Sequence, residues 1–310
     1  MKKIFIDGSA GTTGLRIFDR LSERKDIEII TLSEELRKDP DARKEALNSA
    51  DIAFLCLPDA AAIEAVSMIE NDNTVVIDTS TAHRTNSEWA YGFPELSVEN
   101  YEKIKASKRI AVPGCHASGF IALIYPLVEA GIIGKDELLN CFSLTGYSGG
   151  GKKMIAEYND QNRSQLFDAP RQYALSQKHK HLPEMSVVTG IRNAPIFCPI
   201  VSDFYSGMQV TVPLFATQLT NGKNIDDIKK AYINKYNGPI VEFVDSIDND
   251  GLISTAALSG KDSMKIAVYG NEERILLTAV YDNLGKGASG AAVECLNIVL
   301  GIDSTTGLVI

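Results

Sequence analysis

Of the five cysteines in the chain, Cys115 has the surroundings that suit chemistry. Val112-Pro113-Gly114 reads as the end of a strand, and His116-Ala117-Ser118-Gly119-Phe120 as the opening of a helix that runs to Val128. The sulfur therefore stands at a helix N-terminus, where unpaired amides and the macrodipole favour a thiolate. Cys56, Cys141, Cys198 and Cys295 sit in apolar runs and read as small buried hydrophobes. A thiolate nucleophile needs a group that moves protons, and His83, His116, His179 and His181 are the candidates. His179-Lys180-His181-Leu182-Pro183-Glu184-Met185 stands out. Two imidazoles two residues apart in an extended segment point to one side, Pro183 suits the first turn of a helix, and Glu184 can orient a ring or bind substrate. Read instead as a metal site, the pair lacks further ligands at a metal-binding spacing, so no metal is expected.

A second constellation follows the first predicted strand. Gly8-Ser9-Ala10-Gly11-Thr12-Thr13-Gly14 leads into the helix Leu15–Leu21. Glycines there allow a tight turn and bring backbone N–H groups to a pyrophosphate at the helix N-terminus. The spacing, G-x-x-G-x-x-G, departs from the common G-x-G-x-x-G fingerprint, so its position between strand and helix carries the reading. The second predicted strand ends Thr31-Leu32-Ser33 and is followed by Glu34, Glu35, Arg37 and Lys38. A hydroxyl followed by cations, where NAD sites place an acid, favours the 2′-phosphate of NADP. The plainer alternative for Arg37 and Lys38 is a solvated helix face.

Elements must hold these residues in place. Predicted strands at Lys3–Asp7, Ile27–Leu32, Asp51–Leu57, Val75–Asp78 and Arg109–Val112 alternate with helical stretches at Gly14–Arg24, Ala42–Ser49 and Ala60–Glu70. This alternation marks a parallel, doubly wound nucleotide-binding domain. The second half is β-rich from Ala194 to Ala216, pairs Met264–Tyr269 with Arg274–Tyr281 as a hairpin across 270–273, and contains one helix at Ile225–Tyr236. A last helical stretch, Ala288–Leu300, is expected to pack back on the first domain. The predicted division is 1–114 with 288–310, and 115–287.

Composition narrows the function. The 310 residues carry 31 Lys+Arg against 40 Asp+Glu, a net charge of −9, without the basic face that phosphate-backbone binding needs, so nucleic acid is not an expected partner. No apolar run approaches the length of a membrane span, and an odd number of cysteines without a C-x-x-C pair fits neither a disulfide framework nor a zinc knuckle. A reducing, cytoplasmic location is expected.

Taken in order along the chain, Gly8 to Gly14, Pro113-Gly114-Cys115-His116-Ala117-Ser118-Gly119, His179 to Met185 and Gly285-Lys286-Gly287-Ala288-Ser289-Gly290 resemble the short form of the N-acetyl-gamma-glutamyl-phosphate reductase family. The resemblance implies a Rossmann-like NADP-binding domain plus an α+β catalytic and dimerisation domain with a largely antiparallel sheet. It also implies NADPH-dependent reduction of an acyl phosphate to a semialdehyde in arginine biosynthesis, through a Cys115 thioester, by a homodimer or homotetramer. His181 would then be the acid–base residue, with His179 as the alternative or as a cofactor contact. Leu57, Pro58, Asn283 and Gly285 would border the cofactor. Arg84, in Ser80-Thr81-Ala82-His83-Arg84, would take a carboxylate or phosphate of the substrate, and Lys152, after Gly146-Tyr147-Ser148-Gly149-Gly150-Gly151, would lie near its phosphate. Three other readings stay open at this level: a related enzyme such as an aspartate-semialdehyde dehydrogenase, a Cys-His hydrolase, and an NADP-binding redox sensor.

Overall fold

Short β-branched runs separated by helices build a parallel sheet in the first of two units of the computed structural model, which describes residues 1–310. Unit one comprises Met1–Pro94, Val98–Pro113 and Ala288–Leu308; unit two comprises Glu95–Ser97, Gly114–Gly287 and Val309–Ile310.

Unit one runs β1 (Lys2–Asp7), α1 (Thr12–Ser22), β2 (Ile27–Ile30), α2 (Pro40–Ser49), β3 (Ile52–Leu55), α3 (Asp59–Ser67), β4 (Val75–Asp78), β5 (Ala90–Tyr91), α4 (Val98–Ala106) and β6 (Arg109–Ala111). The strands are all parallel, in the order β2-β1-β3-β4-β6-β5. Side chains alternate across such a sheet, and both faces are covered. Ile4 and Ile6 of β1 pack with Ile17 and Leu21 of α1 and with Ala292 and Leu296 of the chain's last helix, Gly290–Leu300. Phe5, between them, turns to the other face with Leu47 of α2 and Ala62 and Ala65 of α3. Chain order reverses between β1 and β3, which opens a crevice at their carboxyl ends, where ligands bind in sheets of this kind. β2 stops at Ile30, before the predicted end at Leu32, so Ser33 lies in the loop beyond it.

Unit two runs α5 (Cys115–Glu129), β7 (Asn140–Gly146), α6 (Gly151–Asn159), β8 (Arg171–Gln172), α7 (Leu182–Thr189), β9 (Ile196–Ser202), β10 (Met208–Phe215), α8 (Ile225–Lys235), β11 (Val241–Phe243), β12 (Met264–Gly270) and β13 (Arg274–Tyr281). Its sheet, β11-β12-β13-β10-β7-β9-β8, is mixed but largely antiparallel, with β11·β12 and β7·β9 the parallel pairs. The predicted β-rich stretch from Ala194 divides into β9 and β10, which do not pair with each other because β7 lies between them. β7 itself was not anticipated, although Cys141, Ser143 and Thr145 alternate with more exposed neighbours as a half-buried strand requires. No helix is long and apolar enough to cross a membrane.

Cys115 opens α5, whose packing is therefore the part of unit two that places the candidate thiol. α5 is buried along almost its whole length. Two phenols fasten it from the side: Tyr232 donates to the Leu123 carbonyl at 2.6 Å and Tyr236 to the Ala122 carbonyl at 2.9 Å. Both rings are fully buried, so no water replaces a lost hydroxyl. At about 1 kcal/mol for each bond lost, the double variant Tyr232→Phe/Tyr236→Phe is expected to melt a few degrees below the parent. Calorimetry checks this, and an unchanged midpoint would contradict it.

Candidate functional site

The turn after β1 is shaped for close approach of backbone to an anion. Gly8 has φ +85°, and a Cβ there would stand 2.3 Å from the Cys56 carbonyl oxygen; one on Gly14 would stand 2.4 Å from the Gly8 carbonyl oxygen. Side chains at either position would break the turn. Gly11 caps α1 with backbone only, its own N–H bonded to Gly8 O at 2.9 Å, and no acid occupies the first turn. Thr12 opens the helix, and its buried hydroxyl has no hydrogen-bond partner; Thr13 follows, half-buried. An unpaired buried donor at a helix N-terminus is what an anionic group would satisfy.

This turn borders a cavity of about 740 Å³. Leu57 and Pro58 after β3 form part of its wall, with Thr31, Leu32, Arg37 and Lys38 after β2. Arg37 is tied to Glu34 at 2.6 Å, whereas Lys38 forms no ion pair. The Ser33 carbonyl closes the turn, accepting from Leu36 and Arg37. Beneath the floor, Arg43 bonds Asp7 through Nε (3.1 Å) and Nη2 (2.9 Å); burial pushes the Asp7 carboxyl up and Arg43 opposes that. The glycines, the open hydroxyl and the cavity together fit a dinucleotide.

Unit two contains Cys115 and three of the four candidate histidines, and the three rings cluster. Cys115 is the first residue of α5, half-buried, after Gly114 in an extended conformation. Three of the other four thiols are unsuited to attack: burial pushes Cys56 up to about 12 and Cys141 higher still, and Cys295 is buried in the core of unit one. The imidazole centroids of His116 lie 5.7 Å from His179 and 5.6 Å from His181, and those two lie 4.7 Å apart. Phe197 closes the cluster at 5.3 Å from His116. His83 is held in unit one instead, its Nδ1 2.6 Å from Asp78 and its ring stacked on Trp89.

The three rings are not equivalent. His116 Nδ1 lies 2.7 Å from the Ser143 hydroxyl and Nε2 2.6 Å from the Tyr173 hydroxyl. Burial, with a smaller contribution from His179, lowers its pKa to about 3, so it is neutral with both nitrogens engaged. Burial, then Lys180, also lowers His179, whose Nδ1 accepts from the His181 N–H at 3.2 Å. Neutral His179 therefore carries its proton on Nε2. Residues 179–181 form a turn, not the extended segment expected: the His179 carbonyl accepts from Leu182 N–H, and His181 already has helical backbone angles. Pro183 sits in the first turn of α7, as expected.

Several predicted ligands have other work. Glu184 is buried and its Oε1 accepts from Gly114 N–H at 2.8 Å, so it holds the residue that caps α5. Arg84 is also buried, donating from Nε to the Val112 carbonyl (2.8 Å) and from Nη2 to the Thr79 carbonyl (2.9 Å), a strap across the ends of β4 and β6. The Asn283 amide is spent inside unit two, accepting from Gly207 N–H and donating to Ser148 Oγ. Gly285 starts the π-helical turn Gly285–Ser289 and presses on the Lys261 carbonyl. Lys286 is buried with both Glu95 oxygens at 2.7 Å. Lys152 is exposed in the first turn of α6. Ser143, Tyr173 and Tyr281 escaped the sequence reading, because hydroxyls in strands and loops carry no spacing signature.

Comparison with known proteins agrees with these features. The semialdehyde dehydrogenase NAD-binding domain model matches residues 3–106, and the semialdehyde dehydrogenase dimerisation domain model matches residues 115–283. Proteins from Brucella ovis and Brucella melitensis named N-acetyl-gamma-glutamyl-phosphate reductase are each 45% identical over 306 residues, covering 96% of this chain and 99% of theirs. Among solved structures, aspartate semialdehyde dehydrogenase II of Vibrio cholerae superposes with a TM-score of 0.70 at 16% identity, over 97% of this chain and 98% of that one. The Candida albicans aspartate semialdehyde dehydrogenase with NADP gives 0.66 at 14% identity, over 97% and 98%. At these identities the structures share the fold.

The buried neutral state of His116 has a consequence for stability. Its pKa falls from 6.5 in the unfolded chain to about 3 in the folded one. The contribution is whole above the unfolded value and is lost as pH falls, because the unfolded imidazole takes up a proton first, at up to about 1.4 kcal/mol per pH unit. Urea titrations at pH 7 and pH 5 are expected to show a loss of stability that is smaller in His116→Asn. Equal pH dependence in the two proteins would refute this.

Proposed function

The chain belongs to the semialdehyde dehydrogenase family, and on that premise we propose that Cys115 is the nucleophile of an acyl-phosphate reductase. The reaction is the NADPH-dependent reductive dephosphorylation of N-acetyl-gamma-glutamyl phosphate to N-acetyl-L-glutamate 5-semialdehyde, a step of arginine biosynthesis. One observation carries the assignment of residues: a half-exposed thiol at the first position of a 15-residue helix, in the same unit as a cluster of imidazoles. The Cys115 thiolate attacks the γ-carbonyl carbon, the bond from that carbon to the phosphate oxygen breaks, and inorganic phosphate leaves a thioester on Cys115. Gly8, Gly11, Thr12, Thr13 and Gly14 would hold NADPH, which would supply a hydride to the thioester carbon. The oxyanion on that carbon is stabilised by the N-terminal dipole of α5. A histidine governs its protonation and collapse to aldehyde and thiolate. We assign that role to His181, with His179, neutral and protonated on Nε2, as its neighbour in the relay. His116 is unsuited, because both its nitrogens are committed.

Unit one is the cofactor unit in this reading, and unit two the catalytic and oligomerisation unit. Lys38 is the cation left for the 2′-phosphate, with Arg37 able to exchange Glu34 for it, since an exposed ion pair holds weakly. Lys152 is assigned to the substrate phosphate. Unit two contains the matched dimerisation domain. The sheet face opposite α5 exposes Phe142, Ile196, Phe215 and Leu276, and we assign it to a second copy in a homodimer, alone or within a homotetramer. A thiolate nucleophile needs a reducing compartment, which places the reaction in the cytoplasm.

The direct test runs the reaction backwards, following NADPH absorbance with N-acetylglutamate semialdehyde, NADP and phosphate and omitting each in turn. Turnover is expected only with all three; preference for aspartate semialdehyde, or ester cleavage without cofactor, would overturn the assignment. Cys115→Ala is expected to abolish turnover and leave NADPH binding by fluorescence intact. His181→Asn should lower kcat, whereas a larger loss in His179→Asn would exchange the two roles. Lys38→Ala should weaken NADP binding about tenfold and leave NAD binding unchanged, measured by calorimetry.

A further inference from the structure

Tyr281 ends β13 deep in unit two, with no exposed surface, and its register partners are Met208 in β10 and Met264 in β12. A phenol so placed is held from both sides by backbone ladders. Its hydroxyl does not bond within the sheet. It donates to the carbonyl oxygen of Cys115 at 2.5 Å and accepts from the Gly119 N–H at 3.0 Å, so one oxygen grips both ends of the first turn of α5. The sequence makes room for it: a Cβ on residue 119 would lie 2.7 Å from the Tyr281 hydroxyl and 2.6 Å from Val210 Cγ2. The chain that follows Tyr281 returns to the same cysteine. Gly287, its N–H bonded to the Asp282 carbonyl, faces Cys115 so closely that a Cβ there would stand 3.1 Å from the Cys115 Cβ.

We propose that Tyr281 is a positioning residue that sets the reactivity of Cys115, acting through the backbone of the first turn of α5. This deepens the acyl-phosphate reductase reading and rests on Cys115 being its nucleophile. A thiol at the first helical position gains from the dipole at that helix start only while its Cα–Cβ bond keeps its direction relative to the amides of that turn. With the hydroxyl in place, the Cys115 peptide is pinned to a strand that cannot shift. Without it, the carbonyl of residue 115 and the N–H of residue 119 are free to move relative to β13, and the sulfur turns away from the amides that favour its anion.

Tyr281→Phe keeps the ring and removes the grip. The measurement is the rate of Cys115 alkylation by iodoacetamide against pH, with the modified peptide identified by mass, alongside kcat and KM. The parent is expected to show a thiol midpoint below that of a free cysteine. In Tyr281→Phe the midpoint should rise by about one pH unit, with kcat about tenfold lower and KM for the acyl phosphate within about twofold. Gly119→Ala, which pushes the hydroxyl away, should shift the midpoint the same way. A depressed midpoint in the parent that Tyr281→Phe leaves unchanged would overturn the role of Tyr281 and leave Cys115 as nucleophile. An undepressed midpoint in the parent would overturn both.

Discussion

One hydrogen bond joins the two elements on which the chemistry depends. The buried Glu184 carboxylate, in the first turn of α7, accepts the N–H of Gly114, the residue that caps α5. α5 begins with Cys115, and α7 is preceded by the histidine pair, so this contact ties one helix start to the other. A buried carboxylate is tolerated only when donors meet it, and a backbone N–H before a helix is a donor whose position is set by the fold.

Around that link the protein controls charge by burial. His116, adjacent to the thiol in sequence, is withdrawn from acid–base work because Ser143 and Tyr173 hold its nitrogens and burial denies it a proton. His179 is also biased toward the neutral form, by its partial burial and by Lys180. Lys286, fully buried, pairs with Glu95 from 191 positions away and anchors the π-helical turn whose Gly287 abuts Cys115. π-helical turns recur at functional sites because they place a side chain or a backbone approach that a regular helix cannot.

Unit one meets a different constraint. A dinucleotide needs backbone amides and room, and both arise where strand order reverses between β1 and β3. Gly8 and Gly14 remove the side chains that would fill the turn, and Asp7 with Arg43 braces the floor, leaving few fixed charges at the cavity apart from the cations after β2.

How much of this was legible in the residues depends on how local each feature is. The parallel sheet, the glycine turn and the placement of Cys115 at a helix start follow from hydrophobic period and turn chemistry within a few residues, and they stand in the structure at nearly the expected positions. Strand ends moved by a residue or two, and β7 was missed although its alternation was present. What the chain alone could not decide was the partner of each polar group. Arg84 and Glu184 are residue types that bind anions or substrates when exposed, yet tertiary packing buries both against backbone. Tyr281 is an ordinary strand tyrosine until the fold brings Cys115 and Gly119 to its hydroxyl across 166 and 162 positions of sequence. The sequence by itself determined which residues can react and which elements carry them, since periodicity and propensity act locally. Only the tertiary structure decided which reactive groups stay open and which become supports, because burial and long-range hydrogen bonds depend on segments that are distant in the chain.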